Sequence, residues 1–323
     1  MMKKYIQYLQ TKAKGNILSQ GLGDWYDLGP KPPGVSQLTP MGVTATAIYY
    51  YDLKILGDIA DLLNKKNDAI QYKDLAAAVR TSFNDTFFHK DTKQYASGSQ
   101  TANAMAVHTG LVEPADKKFV IENIVKDIRN RNMSLTAGDI GYHFLLSVLH
   151  DAGRDDVIYD MNSRTDVPGY GYQLANGATA LTESWAALPT NSNNHFMLGH
   201  LMEWFYTGLG GIRQSNNSIA FKEIIIDIRP VNGIDSVAVE YDSPYGVISS
   251  KWRRNGDVID LHLGIPANTT AIVYLPSTAV NLTHRDEIAY GPYDVRIIKA
   301  ENQKTKLAVR SGNYHFSAKM KKQ

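Results

Sequence analysis

The stretch Gly208-Leu209-Gly210-Gly211 marks the point at which the sequence changes its hydrophobic period. Before it, apolar residues recur about every 3.6 positions, which is the period of an amphipathic helix. After it they alternate with polar residues, as in Ser236-Val237-Ala238-Val239-Glu240-Tyr241, which is typical of half-buried strands. A run of helices followed by a run of strands favours two packed units. We therefore expect a helical domain over residues 1–211 and a β-domain over residues 212–323.

About eight helices are predicted before this stretch from the 3.6-residue pattern and its start and stop signals. Pro40 lies where the first turn of a helix tolerates proline. The loops are rich in Gly, Pro, Asn and Asp and are longer than a plain bundle requires, which favours binding or catalysis in them. The predicted helical ranges are 2–13, 39–63, 68–88, 100–111, 115–130, 139–151, 154–162 and 194–209.

Five strands are predicted after the stretch, at about ten-residue spacing. Turn signals such as Asn255-Gly256-Asp257 separate them, and this arrangement is typical of a sandwich or barrel. The predicted strands are 224–228, 236–241, 247–252, 258–263 and 270–275.

The composition excludes several classes of protein and site. The 323 residues are 43% apolar and 20% charged with a formal charge of +2, as expected for a folded globular chain. Basic residues are not concentrated enough for nucleic acid, and no apolar run approaches the ~20 residues of a membrane helix. The chain contains no cysteine and no His-Glu-x-x-His, and its N-terminus lacks the apolar core of an export signal. We expect no metal and no cofactor.

The first candidate functional segment, residues 21–34, contains Asp24, Trp25, Tyr26 and Asp27 among glycines and prolines. Indole beside carboxylate suits a sugar, because the C–H face of the sugar ring packs on the indole while hydroxyl groups donate to the acid. A structural turn with Trp25 in the core would explain the same composition.

The second segment runs from Pro168 to Trp185 and contains glycines, tyrosines and a single acid, Glu183. Partial desolvation beside an indole raises the pKa of a carboxyl group towards neutrality, which suits a general base or acid. An exposed glutamate at the start of a helix, with Thr182 as cap, is the competing interpretation.

The third segment, Asn191-Ser192-Asn193-Asn194-His195, predicts the capped start of a helix. His195 would lie at that start, where the helix dipole favours a neutral imidazole that can form hydrogen bonds. His200 is five residues further on and points elsewhere on a helix, so a two-histidine metal site is not expected.

These segments occur together in this order in bacterial α-L-rhamnosidases of glycoside hydrolase family 78, which the chain resembles up to about Leu275. The resemblance implies a partial (α/α)6 barrel followed by an antiparallel β-sandwich. It also implies inverting hydrolysis that releases L-rhamnose from an oligosaccharide, polysaccharide or glycoside, with Glu183 as general base. Asp24, Trp25, Trp185 and His195 would line the sugar subsite. The matching pieces are 21–27, Leu135-Thr136-Ala137-Gly138-Asp139-Ile140-Gly141, 168–185 and 194–199.

The sequence departs from this family at the general acid, a glutamate in an Asp-Cys-Pro-x-x-Glu stretch that this chain lacks. Protonation of the leaving group is typically worth about 10²–10⁴-fold in rate. We therefore expect a chain truncated at its N-terminus, weak or absent activity, and association through the exposed edge of an incomplete barrel. A longer form is compatible with a periplasmic location.

Two other functions remain open. An inactive rhamnose-binding fragment would retain the sugar subsite without the acid. A polysaccharide lyase or uronide hydrolase on the same barrel would need basic residues to neutralise a uronate, and the three segments contain only Lys31.

Overall fold

The structure is a computed structural model that describes residues 1–277, 280–282, 295–301 and 304–320. The chain divides into two compact units, Met1–His200 and Leu201–Gln323. Within the described residues, no helix combines the length and apolar character that crossing a membrane requires.

The first unit is helical, and seven of its helices follow predicted ranges closely, whereas the short helix Tyr170–Ala175 was not predicted. Short connections such as residues 63–65 force α2 (Met41–Leu62) and α3 (Lys66–Phe87) to pack as neighbours. A small hairpin, β1 (Phe88–His89) with β2 (Gln94–Tyr95), follows α3. The helices are α1 (Met2–Lys12), α2 (Met41–Leu62), α3 (Lys66–Phe87), α4 (Gln100–Thr109), α5 (Lys117–Asn130), α6 (Gly141–Asp151), α7 (Asp155–Ser163) and α8 (Tyr170–Ala175).

Helix α4 lies at the centre of this unit and is buried on nearly all sides. The Ser99 hydroxyl accepts a hydrogen bond from the Ala102 amide and caps its start, while Gly110 ends it in a left-handed conformation. Alternating alanines allow α2, α5 and α6 to approach it closely. The polar residues at its first turn, Gln100 and Thr101, are thereby held in the interior.

The predicted continuous helix over 194–209 was wrong. The chain forms a 3-10 turn at Phe196–Leu198, a single α-helical turn α9 (Leu201–Trp204) and a π-helical turn at Phe205–Leu209. The His195 amide donates to the Leu181 carbonyl at 2.9 Å, which holds His195 in extended backbone. Gly199, a poor helix former, follows the first turn.

The second unit contains β3 (Ile212–Gln214), β4 (Glu223–Asp227), β5 (Ser236–Ser243), β6 (Gly246–Asn255), β7 (Val258–Leu275), β8 (Val280–Leu282), β9 (Val295–Glu301) and β10 (Lys304–Lys319). The strands predicted at 258–263 and 270–275 are one strand, β7. Strands β3, β8, β9 and β10 were not predicted.

These strands form one hydrogen-bonded sheet in which the β4–β7 pair is parallel and the other pairs are antiparallel. Strand β7 pairs with β6 along its first half and with β4 along its second half, while β10 pairs with β7 along nearly its whole length. Inward-facing side chains such as Trp252, Leu261, Val273 and Phe316 form the core.

Candidate active site

Asp24 has no exposed surface and joins three parts of the helical unit. Its Oδ2 accepts hydrogen bonds from the Thr101 hydroxyl at 2.5 Å and the Gly138 amide at 2.9 Å. Its Oδ1 accepts from the Gly141 amide at 2.8 Å. Burial raises the pKa of Asp24 to about 6, although the three hydrogen bonds oppose that shift. Both oxygens predicted to bind sugar are therefore bonded within the protein.

Asp27 closes the loop that carries Trp25 and Tyr26. Its buried carboxylate accepts from the Gln37 and Leu38 amides at 2.8 and 2.7 Å and from the Ser36 hydroxyl at 3.1 Å. Carboxylates that accept several such bonds fix a loop firmly. We call residues 21–38 the tryptophan loop.

Gly138 allows this loop to lie directly against residues 135–141. The Asp139 amide donates to the Trp25 carbonyl at 2.8 Å, and the Leu28 amide donates to the Thr136 carbonyl at 3.0 Å. A Cβ on Gly138 would lie 2.1 Å from the Trp25 carbonyl oxygen. Only glycine fits at this approach.

Glu183 and Trp25 meet at the surface of the tryptophan loop. The indole Nε1 of Trp25 lies 3.5 Å from Oε1 of Glu183, and both side chains are half-buried. The Glu183 amide donates to the Ser192 carbonyl at 2.9 Å, which fixes the backbone at this position. The pKa of the neighbouring Tyr26 is raised, first by burial and then by the charge of Glu183.

Asp139 and His195 form a second polar pair, in which Oδ2 of Asp139 lies 2.9 Å from Nε2 of His195. Asp139 is 5% exposed, and among the described residues its Oδ1 has no hydrogen-bond partner. Burial raises the pKa of Asp139 and the charge of Glu183 adds to that rise, while the bond to His195 opposes it. Sequence reasoning assigned no role to Asp139. The available signal was its position in the Gly138–Gly141 stretch.

Trp185 has no exposed surface and forms part of the interior beneath the site. Its Nε1 donates to the Ala137 carbonyl at 2.7 Å. Its ring packs edge-on against Tyr142, with ring centroids 4.7 Å apart, and contacts Tyr170 at 5.5 Å. Direct contact between Trp185 and a sugar, as the sequence analysis expected, would require the surrounding loop to open.

Glu183, Trp25 and Tyr26, with the Asp139–His195 pair, thus combine an accessible carboxylate with an aromatic surface and hydrogen-bonding groups. Such a combination suits a polyhydroxylated ligand. The carboxylate of Glu183 is able to accept a proton from a bound water.

The comparisons with known proteins give the same family for both units. Residues 1–209 match the bacterial alpha-L-rhamnosidase 6 hairpin glycosidase domain, and residues 211–309 match the bacterial alpha-L-rhamnosidase C-terminal domain. An alpha-L-rhamnosidase of Formosa agariphila is 26% identical over 330 residues, which cover 99% of this chain and 35% of that protein. One of Streptomyces avermitilis is 27% identical over 325 residues, covering 97% and 30%.

Solved structures of alpha-L-rhamnosidases are also similar to this chain. The Streptomyces avermitilis alpha-L-rhamnosidase complexed with L-rhamnose has a TM-score of 0.86 at 26% identity, covering 98% of this chain and 30% of that one. The alpha-L-rhamnosidase from Dictyoglumus thermophilum has a TM-score of 0.85 at 28% identity, covering 98% and 36%. The chain thus spans about a third of the length of these relatives. The predicted partial barrel followed by a β-domain is confirmed, and the chain belongs to the bacterial alpha-L-rhamnosidase family.

Proposed function

We propose that the helical unit supplies the rhamnose subsite and the general base of an inverting α-L-rhamnosidase, with Glu183 as that base. The proposal rests on the half-buried Glu183 carboxylate, which lies 3.5 Å from the Trp25 indole nitrogen. The tryptophan loop that carries Trp25 is held by internal hydrogen bonds. The Asp24 oxygens are occupied by internal hydrogen bonds, and Asp139 is nearly buried. Glu183 is therefore the acid of this group best able to reach a water molecule.

In the proposed reaction, Glu183 takes a proton from a water molecule as the water oxygen forms a bond to the anomeric carbon. The glycosidic C–O bond breaks on the opposite face, and the leaving oxygen takes a proton from a second carboxylic acid. The family pattern for that acid is not found in this sequence. We expect the chain alone to hydrolyse rhamnosides about 10²–10⁴-fold more slowly than a site that contains both groups.

The neighbouring residues divide into those that contact the sugar and those that hold the contacts in place. Trp25 offers an apolar face to the C5 methyl side of rhamnose, and His195 offers a hydrogen bond to a hydroxyl group. Asp139 orients the His195 ring through the 2.9 Å contact. Asp24 and Trp185, although predicted to touch the sugar, support it from the interior in this proposal.

The test compares binding of L-rhamnose with hydrolysis of an aryl α-L-rhamnoside in the wild-type chain and in Glu183→Gln. We expect Glu183→Gln to lower any turnover by about 10²-fold or more and to change the affinity for rhamnose only a few-fold. Glu122→Gln, at an exposed glutamate of α5, is the matched control and should change neither. Unchanged turnover in Glu183→Gln would remove Glu183 as the base.

The missing acid pattern favours one alternative, a chain that binds rhamnose without hydrolysing it. That alternative predicts saturable rhamnose binding, weakened by Trp25→Ala, with no turnover above that of Glu183→Gln.

We also propose that the chain associates through apolar helix surfaces at the barrel edge. On α1, Met2, Tyr5 and Tyr8 are each more than half exposed, and Leu62 at the end of α2 is 81% exposed. Sedimentation analysis should show association that Tyr5→Ser with Tyr8→Ser reduces. If the wild type and the double variant are both monomeric, the proposed association is contradicted.

A further inference from the structure

The outer surface of the β-unit carries an ordered group of basic side chains across three neighbouring strands, β6, β7 and β10. Strand register places Lys251 opposite His262 and His262 opposite His315, while Arg253 lies opposite Asp260. Because side chains alternate along strands, these residues point away from the core residues that separate them in sequence. We call Lys251, Arg253, Asp260, His262 and His315 the histidine face.

The histidine face lines a depression of about 680 Å³, bordered on the β5 side by Ser236 and Ala238. Ligand sites for small molecules typically measure about 300–1,000 Å³, and the depression falls within that range. The small side chains on β5 leave it open on that side, which suits a chain molecule that extends past the site.

The histidine face carries more basic than acidic side chains. Its lining contains two permanent cations and two imidazoles but a single acid, Asp260, which lies 3.7 Å from His315. Lys251 also contacts Glu240 on β5 at 2.7 Å, with both side chains about half exposed, so solvent screens that pair. Arg253 is exposed beside them. An arginine guanidinium binds a carboxylate through two parallel hydrogen bonds.

The two imidazoles form a stacked ring pair within this charged group. The rings of His262 and His315 stack with centroids 4.1 Å apart and an interplanar angle of 7°. Each ring covers one face of the other, so a sugar ring can pack only against an outer face of the pair while the neighbouring polar groups bond its hydroxyls. A small spherical anion would make no use of that surface.

We propose that the histidine face binds an acidic saccharide, with Arg253 and Lys251 on a uronate carboxylate and with Asp260 and Ser236 on ring hydroxyls. The choice of a saccharide rests on the proposed function of the helical unit, and the choice of an acidic one rests on the charge of the lining. The surface would hold an acidic stretch of a rhamnose-containing polymer without taking part in bond cleavage.

The test titrates the full chain with trigalacturonate and with its methyl ester at low ionic strength, by calorimetry. The two probes share rings and linkages and differ in charge. We expect saturable binding of trigalacturonate and at least about tenfold weaker binding of the ester. Arg253→Ala, and His262→Ala with His315→Ala, should each weaken binding by about tenfold or more. Arg310→Ala removes an exposed arginine from β10 outside the depression and should leave affinity within about twofold.

Four results would overturn the proposal. They are no binding of trigalacturonate, equal binding of the ester, displacement by inorganic sulfate at the concentration at which galacturonate displaces, and an equal loss of affinity in Arg310→Ala, which would reduce the effect to net charge. Thermal midpoints of the variants identify unfolding, and Lys251→Ala, at an exposed site, provides a second lining variant. Glu183→Gln should keep full trigalacturonate affinity and Arg253→Ala should keep rhamnose affinity, so failure of one proposal is distinguishable from failure of the other.

Discussion

Replacement of Gly138 with alanine should separate the tryptophan loop from residues 135–141. The added Cβ would lie 2.1 Å from the Trp25 carbonyl oxygen and 2.6 Å from the Asp27 amide nitrogen. Both are backbone atoms, so no side-chain rotation can relieve the contact. Because non-bonded heavy atoms approach favourably only to about 3.5 Å, the two segments must part by roughly 1 Å or more.

Three hydrogen bonds cross this contact and give the magnitude. They are Asp139 amide to Trp25 carbonyl at 2.8 Å, Leu28 amide to Thr136 carbonyl at 3.0 Å, and Gly138 amide to the Asp24 carboxylate at 2.9 Å. Neutral bonds contribute about 0.5–1.5 kcal/mol each and a bond to a charged group about 1.5–3 kcal/mol. Their loss should lower the free energy of unfolding by about 2.5–6 kcal/mol. The Trp25–Glu183 contact should loosen with the loop.

Urea unfolding and amide hydrogen exchange measure this effect. The Asp139 and Leu28 amides should exchange faster in Gly138→Ala, and the urea midpoint should fall. Gly34→Ala is the matched control, because a Cβ there has no neighbour within 4 Å in the same loop. Its stability should stay within about 0.5 kcal/mol of the wild type. If Gly138→Ala has the same urea midpoint as Gly34→Ala, and the Asp139 and Leu28 amides are equally protected in both variants, the packing explanation is wrong.

Three further outcomes are expected. Asp139→Asn should weaken rhamnose binding several-fold, because it frees the His195 ring. The free energy of unfolding should change by less than about 1 kcal/mol, because the substitution also removes a costly buried charge. Unchanged affinity in calorimetry would contradict the positioning role of Asp139. Trp185→Phe should lower the free energy of unfolding by about 2–4 kcal/mol, because it removes a hydrogen bond and leaves a void. The rhamnose affinity of the folded protein should not change. A loss of affinity without a loss of stability would instead support contact between Trp185 and the sugar. The free energy of unfolding should fall as pH rises from about 4 to 6, and Asp24→Asn should flatten that slope in urea titrations at each pH.

The long periodic helices were predictable because their apolar positions repeat over many turns. Predicted ranges 39–63 and 68–88 differ from α2 and α3 by at most two residues at each end. The segment 194–209 failed because the His195 amide bonds to a residue distant along the chain, Leu181, a pairing that no local pattern reveals. The prediction for β7 failed differently, since the predicted strands 258–263 and 270–275 are continuous through Pro266, a residue that is rare inside strands.

The site was predictable in its composition more than in its geometry. Trp25, Glu183 and His195 stood out because aromatic and polar residues in loops favour binding, and the structure brings Trp25 to Glu183. Burial was the quantity that the sequence did not reveal. It places Asp24 and Trp185 in the interior, and it makes Asp139 the partner of His195 across a wide separation in sequence.

The buried charge of Asp24 explains why an acid and not an amide fits beneath the tryptophan loop. Burial raises its pKa from 3.8 to about 6, so between those values the folded chain holds a proton that the unfolded chain has lost. Stability therefore falls as pH rises through this window and levels off above it, by up to about 3 kcal/mol. The two carboxylate oxygens of Asp24 in turn accept hydrogen bonds from the Gly138 and Gly141 amides and from the Thr101 hydroxyl. Asparagine would turn an N–H group towards one of these donors. Asp24→Asn should thus lose the pH slope yet remain less stable at acidic pH, and parallel pH curves for the two proteins would show that another group carries the titration.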